Sequence, residues 1–98
     1  MKELEKIIEK LREVIDPELG YDIVSLGEIK DIKIFGNKVE VTILPTTPFC
    51  PFLPFIQSSI YEKLSSLGYT VDIKIDFEDK WNINRVDPQI RKYLGIFR

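Results

Sequence analysis

Cys50 is the one cysteine of a 98-residue chain and sits in Thr46-Thr47-Pro48-Phe49-Cys50-Pro51. A thiolate binds iron and attacks sulfur, so this is where the chain could hold chemistry of its own. A lone thiol makes no internal disulfide. With no histidine anywhere, the chain also lacks the commonest second metal ligand and the usual general base at neutral pH. If a helix begins at Pro51, its free first-turn N–H groups and its dipole point at the sulfur and favour the thiolate. Pro51 and Pro54 do not both fit one regular helix interior, so the start falls either at Pro51 or at Pro54, the latter leaving Cys50 in a loop. The plainer reading of Cys50 is a buried structural thiol, which the flanking phenylalanines suit.

Other side chains could serve the same place. Thr46 and Thr47 could donate hydroxyl hydrogen bonds to a sulfur beside them, or simply satisfy backbone groups where a strand ends. Asp16 and Glu18, two residues apart, could add hard oxygen ligands to iron. The stronger reading of Asp16 is an ordinary cap, because an Asp before a proline commonly takes backbone N–H groups. Phe49, Phe52, Phe55 and Trp81 are the aromatic side chains placed to touch a partner, although Trp81 could equally close one edge of the core.

The elements that must position these residues are legible in the apolar spacing. Leu4, Ile7, Ile8, Leu11, Val14 and Ile15 recur at helical spacing among Glu and Lys, which predicts an amphipathic helix over about Lys2 to Ile15. Asp16-Pro17-Glu18-Leu19-Gly20 ends it, Pro17 starting a turn that Gly20 closes. Ile29 to Phe35 and Lys38 to Leu44 alternate about Gly36-Asn37, a hairpin signal. Leu53, Ile56, Ile60, Leu64 and Leu67 mark a second helix stopped by Gly68. Val71, Ile73, Ile75 and Phe77 alternate as a third strand, which the crossover helix requires to run parallel to the second. A short helix starts at Asp87-Pro88. The predicted fold is α+β: a two-layer α/β sandwich of α-β-β-α-β order plus a short C-terminal helix, one domain over residues 1–98.

Composition excludes several function classes. Fourteen basic against 16 acidic residues give a net charge of −2, without the basic excess that carries non-specific nucleic-acid binding. There is no Gly-x-x-Gly clamp, no Gly-rich phosphate loop and no nucleophile elbow. No apolar run approaches the roughly 20 residues of a membrane span, and Met1-Lys2-Glu3-Leu4-Glu5 leads into an acid-rich helix rather than a signal peptide, so the chain reads as cytoplasmic. Abundant Lys, Glu and Ile with only two Gln lean toward a thermophile source.

Taken in order, Val14-Ile15-Asp16-Pro17-Glu18-Leu19-Gly20, Ile23-Val24-Ser25-Leu26-Gly27, the strand pair, Thr46-Thr47 with Cys50-Pro51, and the tail from Trp81 to Leu94-Gly95-Ile96 resemble one family. It is that of the small iron–sulfur cluster assembly factors typified by SufT and by PaaD of phenylacetate degradation, whose eukaryotic relative serves the cytosolic assembly machinery. This chain departs from the pattern at two places. Phe49 and Phe52-Leu53-Pro54-Phe55 stand where the family has a small residue before the cysteine and mixed polar residues after it, and Glu28 stands where an aliphatic residue is more usual.

The resemblance implies an iron–sulfur-cluster-assembly-like domain that is not an enzyme and helps build or deliver clusters to client proteins. Cys50 would be a transient ligand of iron or a cluster, or a client contact, and no tightly bound cofactor is expected. Partners would be iron–sulfur client and assembly proteins, with no nucleic acid and no membrane. A cluster normally takes four thiolates and one chain offers one, so the remaining ligands must come from elsewhere. A homodimer would bring two copies of Cys50 together. The rival reading is a metal-free protein–protein adaptor that presents the Pro48–Phe55 loop.

Overall fold

Ile7 and Leu11, about one helical turn apart, bury completely on α1 (Lys2–Leu11), with Leu4 and Ile8 half-buried beside them. The computed structural model describes residues 2–47 and 51–94. The helix expected to reach Ile15 stops at Leu11 because the backbone beyond it has other partners. Val14 O accepts the N–H of Ile23 at 3.0 Å, and Ile15 forms an antiparallel bridge with Asp22. Val14 stays in the core, whereas Ile15, placed by its spacing on the buried stripe, is 46% exposed.

The hairpin forms as its alternation requires. β1 (Ile29–Phe35) pairs antiparallel with β2 (Lys38–Ile43) from Phe35 opposite Lys38 to Ile29 opposite Ile43, with one irregularity between Ile29 and Asp31. Gly36 takes the positive φ of the two-residue turn, at +61°. β3 (Thr70–Ile75) adds to the other side of β2 and runs parallel to it, Val39 opposite Val71 and Ile43 opposite Ile75. The sheet order is therefore β1-β2-β3, with α2 (Leu53–Ser65) as the crossover. The inward side chains of β2, Val39, Val41 and Ile43, meet Ile7 and Leu11 of α1, Val14 just beyond it, and Ile56, Ile60 and Leu64 of α2 in one cluster. Strand-spaced and helix-spaced residues thus fill the same core, which makes the predicted two-layer α+β sandwich.

Between the two candidate starts of α2, the structure uses the later region. The helix begins at Leu53 with Pro54 in its first turn, where a missing N–H costs nothing, and Pro51 lies ahead of it in a turn. Gly68, at φ +96°, follows the helix end. Leu67, expected on the buried stripe, falls beyond the last helical turn and is exposed. After β3 the chain makes a 3-10 turn (Ile83–Arg85) and then α3 (Pro88–Leu94), where Asp87 Oδ1 accepts the N–H of Gln89 at 2.9 Å as its residue type predicts. Among the described residues no helix is long and apolar enough to cross a membrane.

Candidate functional site

In sequence, Cys50 falls between the end of β2 and the start of α2. Cys50 and Phe49, together with Pro48, lie outside the described residues. Leu44 and Pro45 are buried and carry the chain out of the sheet to Thr46 and Thr47, both half-buried. Thr46 Oγ1 is itself buried and meets no hydrogen-bond partner among the described residues. Thr46 also helps line a cleft of about 230 Å³ whose other walls include Pro45, Phe77 and Trp81. Two of the side chains singled out in the sequence, Thr46 and Trp81, therefore come together.

Asp16 is completely buried, and its geometry fits the cap. Its Oδ1 accepts the N–H groups of Glu18 at 2.8 Å and Leu19 at 3.3 Å, while its carbonyl accepts the N–H of Gly20 at 2.8 Å. An Asx turn of this kind holds the backbone where proline forbids a helix to continue. Glu18 is exposed and contributes its backbone N–H to that turn.

What sequence reasoning missed is the residue that faces Asp16. Glu28 is 1% exposed, and its carboxyl lies within hydrogen-bonding reach of the Asp16 carboxyl. Burial, then the hydrogen bond and the negative charge of Asp16, then the charge of Glu18, push the Glu28 carboxyl up to about 9. Asp16 Oδ2 and Glu28 Oε2 are both buried without a donor among the described residues. The available signal was an acid at the mouth of an apolar strand, in Leu26-Gly27-Glu28-Ile29. Spacing alone could not join it to Asp16, because the contact depends on Ile23 folding back onto Val14.

The C-terminal segment clamps the same stretch from outside. Trp81 Nε1 donates to Leu26 O at 2.6 Å, Arg85 Nε to Gly27 O at 2.7 Å, and the Asp87 N–H to Ser25 O at 2.8 Å. Trp81 is half-buried and so closes an edge of the fold while one face borders the cleft. Phe52, just before α2, and Phe55, in its first turn, are 38% and 54% exposed.

The described residues contain no group of three or more acidic, cysteine or histidine side chains able to hold a metal ion by themselves.

Residues 4–77 match the family model described as iron–sulfur cluster assembly protein. The chain is 33% identical over 95 residues to an Fe-S protein maturation auxiliary factor of Porphyromonas gingivalis, covering 94% of this chain and 90% of the relative. It is 30% identical over 95 residues to the Fe-S protein maturation auxiliary factor YitW of Bacillus subtilis, covering 94% and 93%. A crystal structure of a DUF59 domain from Bacillus anthracis superposes with a TM-score of 0.86 at 30% identity, over 94% of this chain and 91% of that one. The likeness thus runs along nearly the full length of the chain, and the chain belongs to the iron–sulfur cluster assembly protein family.

Proposed function

We propose that the protein promotes the assembly, repair or delivery of iron–sulfur clusters to client proteins, acting as a maturation factor and not as an enzyme with a substrate of its own. The observation that carries this reading is the near-full-length likeness to two Fe-S protein maturation auxiliary factors. Chemistry on the chain supports it. The sole thiol lies between a strand end and a helix start, with Thr46 and Thr47 just before it and the first turn of α2 just after it. Hydroxyl groups that donate to a sulfur favour its thiolate form. One thiolate holds a cluster only in passing, or with ligands from a second copy, a small thiol or the client.

Anaerobic reconstitution of wild type and Cys50→Ser with iron and sulfide, reading iron, sulfide, visible absorbance and molar mass together, tests the thiol. Binding that accompanies dimer formation and is lost in the variant is the expected result. Undiminished binding in Cys50→Ser, or a variant that matures clients as well as wild type, rejects Cys50 as the ligand. The metal-free adaptor is favoured by one observation, the exposure of Phe52 and Phe55 beside the loop. It requires that Phe52→Ala and Phe55→Ala impair client maturation while Cys50→Ser does not.

A further inference from the structure

β3 ends the sheet, and among the described residues no strand pairs with its outer edge. The Thr70 N–H donates to Asn37 O at 2.8 Å and the Asp76 N–H to Ile43 O at 2.9 Å, both toward β2. Strand alternation turns the backbone bonds of Asp72 and Lys74 the same way and leaves the N–H and C=O groups of Val71, Ile73 and Ile75 on the open edge. Such an edge is a template for another strand unless something blunts it. The opposite edge of the sheet is blunted. β1 carries an irregularity between Ile29 and Asp31 and the charges of Lys30 and Lys33, and Asp31 Oδ1 takes the Ile32 N–H at 3.0 Å. β3 has no proline and runs in unbroken register with β2 from Thr70 to Ile75.

Charge on the outer face of β3 selects the occupant. Asp72 stands directly opposite Glu40 of β2, like beside like, and has no ion pair among the described residues, whereas Lys74 meets Glu40 at 3.2 Å. An antiparallel strand with the sequence of β3 itself, centred opposite Ile73, sets a lysine beside Asp72 and an aspartate beside Lys74. These fall at the closer, non-hydrogen-bonded positions of the ladder, where opposite charges attract most. The same register pairs Ile73 with Ile73 and Val71 with Ile75, through the backbone groups that β3 leaves free. A two-fold axis at Ile73 therefore satisfies the edge and the charges together. Beside that edge lies an open groove of about 570 Å³ between Ile73 and the Pro54, Gln57, Ser58, Tyr61 and Glu62 side chains of α2, with Tyr61 55% exposed. The axis keeps both copies of α2 on one face of the joined sheet, so each groove opens toward the other copy's Tyr61, a residue type that interfaces favour.

We propose that a second copy of this chain adds to the sheet along β3, antiparallel and centred on Ile73, giving a two-fold dimer with one continuous sheet. Antiparallel pairing sends the two β2 exits, and with them the Thr46-Thr47 segments, to opposite ends of that sheet. The contact is thus separate from any bridge through Cys50 and forms without iron, so its failure leaves the cluster-assembly reading standing.

The test is the molar mass of the reduced, iron-free chain by sedimentation over a concentration series, with amide hydrogen exchange read at both ends of the series. Mass should rise from monomer to dimer, and the Val71, Ile73 and Ile75 amides should exchange more slowly as it does. Asp72→Lys and Lys74→Asp each set like charges opposite one another and should each weaken the dimer about tenfold, since both cross-strand pairs change sign. Mixed together, the two variants again place lysine opposite aspartate and should associate more tightly than either does alone. A mass that stays monomeric at every concentration overturns the proposal, as does a dimer in which the three β3 amides keep their exchange rates. A mixture no tighter than its components overturns the register centred on Ile73. A monomer whose β3 amides slow only when an apo iron–sulfur enzyme is added gives the edge to a client strand and overturns the second copy. The wild-type mass and exchange decide the point even if neither variant folds.

Discussion

Gly27 and Arg85 meet backbone to backbone. A Cβ on Gly27 would lie 2.4 Å from Arg85 O, and Gly27 O in turn accepts Arg85 Nε at 2.7 Å. Gly27 also sits at φ +72°, a region that disfavours other residues. Gly27→Ala should therefore cost about 3 kcal/mol or more, combining a left-handed backbone with a clash against another backbone that cannot swing away. Gly36→Ala, at φ +61° but with open space around it, should cost only about 1 kcal/mol. Urea unfolding of the two variants checks the difference; equal losses would mean that the Arg85 segment yields.

Trp81 stands two residues before the same 3-10 turn and donates to a carbonyl of a completely buried residue, Leu26. Trp81→Phe keeps most of the ring but leaves that carbonyl without its donor. The expected loss is about 1–2 kcal/mol in unfolding free energy. A variant as stable as wild type would show that water replaces the indole there.

The fold was legible because period and punctuation agree. Gly36-Asn37 separates two alternating runs, and Gly68 and the Asp87-Pro88 pair mark a helix end and a helix start as their backbone chemistry demands. The failures lie where distant backbone claimed a residue. Val14 and Ile15 fit helical spacing, but pairing with Ile23 and Asp22 took them out of α1. In the site, Asp16 was readable as a cap from its place before Pro17, a local matter. Its contact with Glu28 was not, since that depends on the path of the intervening loop. Trp81 could be read either as core or as surface, and it serves as an edge closed by a hydrogen bond.

Phe55 and Ile56 are neighbours in sequence with opposite surroundings, 54% and 1% exposed. Ile56→Ala should remove about 2–5 kcal/mol of stability, because it opens a cavity among Ile60, Val41 and their neighbours. Phe55→Ala should change stability by no more than about 0.5 kcal/mol. If Phe55 is a partner contact, its variant should instead lower the maturation of an iron–sulfur client enzyme in cells that depend on this protein. Full maturation with Phe55→Ala at wild-type abundance would remove Phe55 from the contact surface.

Asp76 contributes to the acid side of the stability profile. Its carboxyl accepts from Lys30 and from the N–H groups of Glu78 at 2.9 Å and Asp79 at 3.0 Å, and is drawn down to about 2, the Lys30 hydrogen bond being the largest cause. Here the folded chain releases the proton more readily than the unfolded one. The contribution is present above the ordinary Asp value of 3.8 and fades as pH falls through about 2. Lys30 lies on β1 and Asp76 just past β3, so the pair reaches across the end of β2. Asp76→Asn retains an oxygen for the two backbone N–H groups but removes the charge that Lys30 meets. It should be less stable than wild type at neutral pH by a small margin, since the pair is solvent-exposed, and the gap should narrow with added salt and close as both chains are acidified. A gap that persists at low pH and high salt would assign the role of Asp76 to the turn it caps rather than to its charge.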